Sequence, residues 1–229
     1  MRFGKCLAGL AFVFSAACSA RAAEFTVDPA ESIFTVIVHK AGIAARFAHN
    51  HLVYPGEYTT ALSLENSDLA TAQFSLSFPT EKLLVDSPDM HKKWYPALDK
   101  AGILDEPFKE ISEKDRATIS EHMLDVSQLD AKQYPEISVK LASLRAESTQ
   151  DGKYPHTHIA TIEFTVHGKT ISRECPASVT IKDDSIKIEA KGEFTFSEFG
   201  IKPYSALMGA VKNQDTFHIY AHIAAKAKL

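Results

Sequence analysis

The chain has 229 residues, of which 45% are hydrophobic and 24% are charged, and its formal net charge is −4. This composition excludes disordered, collagen-like and coiled-coil proteins, and the length is sufficient for one domain with a sizeable core. The acidic balance and the lack of a Lys/Arg stripe argue against nucleic acid and against an anionic membrane surface as partners, because both attract concentrated positive charge.

The first predicted element is an export signal. Arg2 and Lys5 precede an apolar run over residues 7–17, and Ala20-Arg21-Ala22 has the small-x-small pattern of a cleavage site. The run is shorter than the about 20 apolar residues of a membrane-spanning helix, so no transmembrane segment is predicted. We expect residues 1–23 to be a signal peptide and residues 24–229 to form one periplasmic domain. A lipoprotein anchored through Cys18 is the alternative.

Alternating apolar and polar residues, typical of half-buried strands, dominate the rest of the chain. The alternation is clearest in the runs that contain Phe34, Val36 and Val38; Phe74, Leu76 and Phe78; Ile137 and Val139; Phe164 and Val166; and Phe217 and Ile219. Turn sequences such as Tyr54-Pro55-Gly56, His167-Gly168-Lys169 and Lys182-Asp183-Asp184-Ser185 predict hairpins between antiparallel neighbours. At least eight such strands predict an all-β sandwich or a closed barrel, and a barrel would leave no exposed edge.

Residues 83–129 interrupt the alternation. The stretches 90–94 and 112–123 look helical, and Ser112 followed by Asp115 is a plausible arrangement for capping a helix N-terminus. We expect a helical insertion between two strands that lies over one end of the sheet structure.

Several motifs resemble the YceI-like family of exported, polyisoprenoid-binding, lipocalin-fold proteins. They are Val27-Asp28-Pro29, Ser32-Ile33-Phe34-Thr35-Val36, His39-Lys40-Ala41-Gly42, His122-Met123-Leu124, Gln133-Tyr134-Pro135-Glu136-Ile137, Ile162 to Thr170, and Phe196-Ser197-Glu198-Phe199-Gly200-Ile201. Glu31, Phe196 and His49-Asn50-His51 depart from the family pattern. The resemblance implies an antiparallel lipocalin-like barrel of about eight strands that holds a long apolar lipid, such as a polyisoprenoid or a fatty amide. It does not imply catalysis.

The chain has 14 Phe, 7 Tyr and 1 Trp, and these aromatic side chains could line such a barrel. Each methylene of a buried lipid chain contributes about 0.8 kcal/mol before the costs of binding. The predicted ligand-binding residues are Phe34, Val36, Phe74, Leu76, Phe78 and Phe164. The alternative is that these side chains fill a dry core, and a partner-binding domain with a solid core remains open.

Six of the ten histidines form spaced pairs: His49 with His51, His156 with His158, and His218 with His222. Residues two or four apart on a strand point to the same face, so each pair could bind zinc or copper. The alternative is that they are solvated or hydrogen-bonded side chains. His49 and His51 are the preferred metal candidates, and metal binding or a redox or stress role is the alternative function to lipid binding.

The remaining chemistry of the chain does not predict an enzyme. There is no nucleophile elbow, no HExxH motif and no glycine-rich phosphate loop in the sequence. Cys175 would be the only cysteine left after cleavage, and we expect it to be a buried small hydrophobe. If its thiol is exposed instead, it could form an intermolecular disulfide, and a homodimer is one of the partner states open to the chain.

Overall fold

The strands of the protein form one sheet that closes on itself. A computed structural model describes residues 22–104, 106–149 and 154–228. The strands within these residues are β1 (Ala22–Val27), β2 (Ile33–Ala41), β3 (His51–Pro55), β4 (Thr59–Glu65), β5 (Asp68–Pro79), β6 (Leu83–Val85), β7 (Glu136–Thr149), β8 (His156–Val166), β9 (Lys169–Lys182), β10 (Ser185–Thr195), β11 (Ser205–Ala206) and β12 (Val211–Ala227). Two α-helices, α1 (Pro88–Lys100) and α2 (Glu113–Leu124), lie between β6 and β7.

Eight strands complete the ring. From β1 the hydrogen-bonded order is β4, β5, β7, β8, β9, β10 and β12, and β12 pairs with β1 again. The N-terminal part of β12, over residues 212–222, pairs instead with β2. From β2 the sheet continues to β3 and then to β6. All these pairs are antiparallel, which confirms the predicted barrel of about eight strands. Closure pairs the backbone groups that an open sheet would leave at its edges.

The predicted signal peptide and Cys18 lie outside the described residues, apart from Ala22 and Ala23. These two alanines are the first residues of β1, where they pair with Glu65 and Leu64 of β4. The first described strand therefore belongs to the barrel wall.

Two of the predicted hairpins are confirmed and one is wrong. His167 and Gly168, with φ of 52° and 72°, join β8 to β9, and Asp183 with Asp184 joins β9 to β10. Hairpin turns whose residues have positive φ angles match the right-handed twist of the flanking strands. At Tyr54-Pro55-Gly56, in contrast, β3 pairs with β2 and β6, whereas β4 pairs with β1 and β5. Pro55 has no N–H for a ladder, so this sequence bends the chain between two strand segments instead of reversing it.

Helix α1 packs against the outer wall of the barrel, which the sequence did not predict. Its buried Trp94 and Leu98, one turn apart, belong to a second core with Ile33 and Ile37 of β2 and with Leu52, Ala101, Ile103 and Tyr220. Because Phe34 and Val38 face the barrel interior, β2 is buried on both faces and is not the half-buried strand that alternation alone indicates. The expectation that the insertion lies over one end is wrong for α1.

Helix α2 does lie at one end of the barrel. The Ser112 side chain accepts a hydrogen bond from the Asp115 N–H at 3.1 Å, which confirms the predicted cap. On the inner face of the helix, Ile119 and Met123 pack against the barrel core. They are four residues apart and therefore on the same side of the helix.

The described helices contain no segment that is both long and apolar enough to cross a membrane. Cys175 is 1% exposed, and burial raises the pKa of its thiol to about 12. The prediction of a buried small hydrophobe is therefore confirmed.

Candidate functional site

A cavity of about 280 Å³ occupies the half of the barrel that lies beneath α2. Its walls come from β2, β3, β5, β6, β7, β8 and β12, together with α2 and the segment before β11. The apolar lining residues are Val36, Val38, Val53, Phe78, Leu83, Val85, Ile119, Met123, Leu129, Ile137, Phe164, Val166, Phe196, Phe199, Ile201 and Phe217. The cavity is partly open to solvent, and its open end is called the mouth below.

Strand alternation builds the wall of this cavity. Val36 and Val38 are two residues apart on β2, as are Phe164 and Val166 on β8, so each pair faces inward. The aromatic rings pack edge-on beneath the cavity: the Phe164 centroid lies 5.3 Å from that of Phe194 and 5.5 Å from that of Phe199. Edge-to-face contacts at such distances stabilise the packing of these rings.

The six predicted ligand-binding residues divide between the two halves of the barrel. Val36, Phe78 and Phe164 line the cavity. Phe34, Phe74 and Leu76 instead pack nearer the start of β2 and the middle of β5, where the Phe34 ring lies 5.1 Å from Tyr58 and 6.1 Å from Phe74. Phe34 and Leu76 are buried in the core there, so the alternatives of a lined cavity and a packed core each describe part of this barrel. Phe74 also borders a second hollow, together with Phe25 and Leu62.

Some lining residues were missed by sequence reasoning. Phe199 and Ile201 flank Gly200, whose φ of 77° turns the chain back toward the barrel, and Ile119 and Met123 come from α2. The spacing of four between Ile119 and Met123 was a signal for an apolar helix face. Nothing in the sequence showed which part of the barrel that face would cover.

The lining has a polar part, contributed by His51, Thr118, His122, Gln128, Tyr204 and Asn213. The orientation of His51 is fixed by Asp86, whose Oδ2 lies 2.6 Å from His51 Nδ1. The other carboxylate oxygen of Asp86 accepts from the Leu52 N–H at 2.8 Å and lies 3.2 Å from His91 Nε2. With Nδ1 held by Asp86, Nε2 is the His51 nitrogen left to meet a molecule in the cavity.

Asp86 keeps its charge in a buried position. Burial would raise the pKa of this carboxyl, which is 3% exposed, but the hydrogen bonds from His51, His91 and the Leu52 N–H hold the pKa below its ordinary value. Charge-assisted hydrogen bonds compensate for lost hydration in this way. Asp86 and its partners therefore form a rigid polar support behind one side of the cavity.

The predicted metal candidates His49 and His51 lie near each other, with ring centroids 5.9 Å apart. Burial, followed by the proximity of His51, lowers the pKa of His49. Within the described residues there is no group of three or more His, Cys, Asp or Glu side chains arranged to hold a metal ion. Zinc or copper binding by this pair stays a prediction.

The other two histidine pairs are engaged with neighbouring groups. His158 Nδ1 lies 2.7 Å from the Thr157 hydroxyl, and His156 Nδ1 lies 3.1 Å from the Tyr154 carbonyl oxygen. His222 Nδ1 lies 3.3 Å from the Glu189 carboxylate on the neighbouring strand. His156 and His158 are thus hydrogen-bonded on a strand, and His222 contacts a carboxylate across the strand pair.

Comparison with known proteins agrees with this architecture. The model of the YceI-like domain matches residues 25–225 of the chain, whereas no curated protein matches it. The structure is similar to that of BcnA from Burkholderia cenocepacia, with 12% identity and a TM-score of 0.59 over 88% of this chain and 100% of that chain. It is also similar to a YCEI protein of Campylobacter jejuni, with 10% identity and a TM-score of 0.52 over 77% of this chain and 85% of that chain.

The two structural similarities concern the fold, since the identities are low. The family match rests on the sequence itself. It extends over nearly all of the barrel, from within β1 to near the end of β12. The chain therefore belongs to the YceI-like domain family.

Proposed function

We propose that the protein is an exported, non-enzymatic carrier of a single-chain amphiphile, which places its apolar chain in the cavity and its polar head group at the mouth. The observation that carries this proposal is the apolar cavity of about 280 Å³ in the half of the barrel beneath α2. Its size is near the lower end of the about 300–1,000 Å³ of small-molecule sites, which favours one chain over several.

The apolar wall supplies the affinity in this proposal. A chain with about ten methylene groups in contact with it would gain about 8 kcal/mol before the costs of association. Among the described residues, no Asp, Glu, Lys or Arg side chain lines the cavity, so the wall suits uncharged hydrocarbon, whether fatty or isoprenoid.

The polar lining supplies the orientation. His51, fixed by Asp86, and the side chains of Tyr204 and Asn213 offer hydrogen bonds to a hydroxyl, amide or carboxyl head group. A polyprenyl alcohol and a fatty amide both satisfy this requirement. The N-terminal pattern of residues 1–23 supports export to the periplasm.

Native mass spectrometry of the protein from its export compartment, before and after organic extraction, tests the proposal. We expect an extractable adduct of lipid mass and a chain that lacks the signal peptide. An acyl modification on Cys18 would support the lipoprotein alternative for localisation. A chain without adduct that also fails to bind cis-parinaric acid, a fluorescent polyene fatty acid, would refute the carrier function.

A matched pair of variants at Val166 locates the binding site. Val166 is buried and lines the cavity, so Val166→Trp should place its rings in the cavity and reduce cis-parinaric acid affinity at least tenfold. Val166→Ile adds only one methylene and should bind nearly as the wild type does. Urea unfolding followed by Trp94 fluorescence in Val166→Ile, and by circular dichroism in both variants, checks that the barrel is intact.

A further inference from the structure

The large apolar side chains that the protein exposes are concentrated around the cavity. Among the described residues, the most exposed ones are Ile43, Phe47, Val126, Leu207 and Met208, each at least 70% exposed. Single apolar residues scattered over a surface need no explanation, but a cluster marks an interaction site. These five lie in three loops, and the loops are connected to one another.

Each loop adjoins residues that line the cavity. Ile43 and Phe47 lie in the loop between β2 and β3, which separates the lining residues Val38 and His51. Leu207 and Met208 form the tip of the β11–β12 hairpin, whose flanks are the lining residues Tyr204 and Asn213, and Val126 follows the last lining residue of α2. All three loops therefore surround the mouth.

Backbone contacts hold the first two loops together. The Ala44 N–H donates to the Ala210 carbonyl at 2.8 Å. The approach is so close that a Cβ on Gly42, whose φ is 99°, would lie 2.4 Å from the Ala210 oxygen. The third loop joins them through Gln128, whose side-chain amide donates to the Lys202 carbonyl at 3.1 Å.

The tip of the β11–β12 hairpin adopts a conformation that its residues disfavour. Leu207 and Met208 have φ of 50° and 54°, in the left-handed region that non-glycine residues rarely occupy. The barrel does not require this turn in order to close, because β12 pairs with β1, β2 and β10 elsewhere. Strain that turns two large apolar side chains into solvent points to a role for those side chains.

Two of the three loops at the mouth are positively charged, although the chain as a whole is acidic. The segments 42–48 and 201–212 contain the exposed cations Arg46, Lys202 and Lys212 and no acidic residue, whereas the third loop carries the exposed Asp125 beside Val126. The Arg46 guanidinium lies 4.7 Å from the centre of the Phe47 ring, so a cation and an apolar ring project together. Although the net charge of the chain is −4, these two loops together form a cationic surface with exposed apolar side chains.

We propose that this tip, defined by Ile43, Phe47, Leu207 and Met208 with Arg46, Lys202 and Lys212, docks the barrel mouth onto a lipid bilayer that contains anionic head groups. Apolar side chains entering the interface and cations contacting the head groups are the two contributions by which peripheral proteins bind membranes. Docking would bring the mouth to the surface from which an amphiphile enters or leaves. It concerns the outer surface, so it can fail while the cavity still binds a chain.

Flotation with vesicles tests the proposal. The mature protein is mixed with vesicles of phosphatidylcholine and phosphatidylglycerol in equal parts, or of phosphatidylcholine alone. We expect binding to the mixed vesicles that weakens at high salt and much weaker binding to pure phosphatidylcholine. Failure of the wild-type protein to float with the mixed vesicles would overturn the proposal.

Two pairs of variants separate the two contributions. The double variant Leu207→Ser/Met208→Ser should weaken vesicle binding at least tenfold, because two large apolar side chains no longer enter the interface. Ile181→Ser, on an exposed apolar residue of β9 away from the mouth, should leave it unchanged. Arg46→Glu should weaken binding about fivefold or more, whereas Lys187→Glu on β10 should not. Equal binding by all four variants would contradict docking through the tip.

Fatty-acid binding and oligomeric state distinguish membrane docking from cavity binding and from dimer formation. Binding of cis-parinaric acid should be unchanged in the tip variants, since none of their residues lines the cavity. If the wild-type protein binds this fatty acid but not vesicles, docking alone is refuted. If it binds vesicles but has no lipid adduct and does not bind this fatty acid, the carrier function alone is refuted. If light scattering shows a dimer that Leu207→Ser with Met208→Ser converts to a monomer, while neither protein floats, the tip covers a second copy and the proposal is wrong.

Discussion

Replacing Asp86 should destabilise the fold in a graded way. This carboxylate is 3% exposed and connects His51 of β3, the Leu52 backbone and His91 of α1 through three contacts of 2.6, 2.8 and 3.2 Å. It therefore joins the barrel wall to the helix that covers it. We compare Asp86→Ala, which removes all three contacts, with Asp86→Asn, which keeps the shape and one acceptor oxygen but removes the charge.

The magnitude follows from the groups that lose their partner. A buried donor left unsatisfied costs about 1–3 kcal/mol, and the Leu52 N–H is in this position after Asp86→Ala. The two histidine side chains are 16% and 13% exposed, so water replaces their partner only in part. Removing one side of such a buried charged network costs about 3–5 kcal/mol. For Asp86→Asn, where only the charge-assisted part is lost, we expect about 1–2 kcal/mol.

The pH dependence has a definite sign. The pKa of Asp86 is lowered in the folded protein, so its contribution to stability is fully present above the pKa of the unfolded chain, about 4. It is lost as the pH falls through the lower folded-state pKa. The wild type should thus lose more stability than Asp86→Asn on acidification below about pH 4.

Urea unfolding is followed by the fluorescence of Trp94, the single tryptophan of the chain, which lies on α1 and is buried against the barrel wall. Asp99→Asn, an exposed position on the same helix, is the matched control and should change the free energy of unfolding by less than about 0.5 kcal/mol. If Asp86→Ala unfolds within about 1 kcal/mol of the wild type and with the same pH profile, the proposed role of Asp86 as the support of His51 is refuted.

Two further predictions concern Cys175 and its neighbour Gly192. Gly192→Ala should destabilise the protein by about 1–3 kcal/mol in urea, because the added Cβ would lie 2.6 Å from Cys175 Sγ. Cys175→Ala in the same chain should recover most of that loss; equal stability of the single and double variants would contradict the clash. The folded wild type should also resist alkylation at pH 8, since burial raises the pKa of its thiol to about 12, whereas urea-unfolded protein should react. Rapid reaction of the native thiol would show that it is exposed.

The strand pattern was readable because inward and outward residues alternate, and this holds for each strand separately. It predicted an all-β sandwich or barrel, the inward direction of Val36, Phe78 and Phe164, and the β8–β9 and β9–β10 hairpins. The Ser112 cap was also readable, because it depends on a side chain three residues from its partner. The bend at Pro55-Gly56 was not, since a turn sequence does not tell whether the chain reverses or only changes direction.

Local geometry and the class of fold were thus encoded in the order of the residues, and the family motifs supported the same barrel. The three-dimensional arrangement was needed to establish that Phe34 is packed in the core while Phe164 borders a cavity, because a cavity depends on volumes contributed by opposite walls. It was needed as well to bring Asp86 to His51 across 35 positions of the chain and to place Phe47 and Met208 at one mouth. Contacts between distant residues depend on how the sheet closes, and no local pattern encodes that.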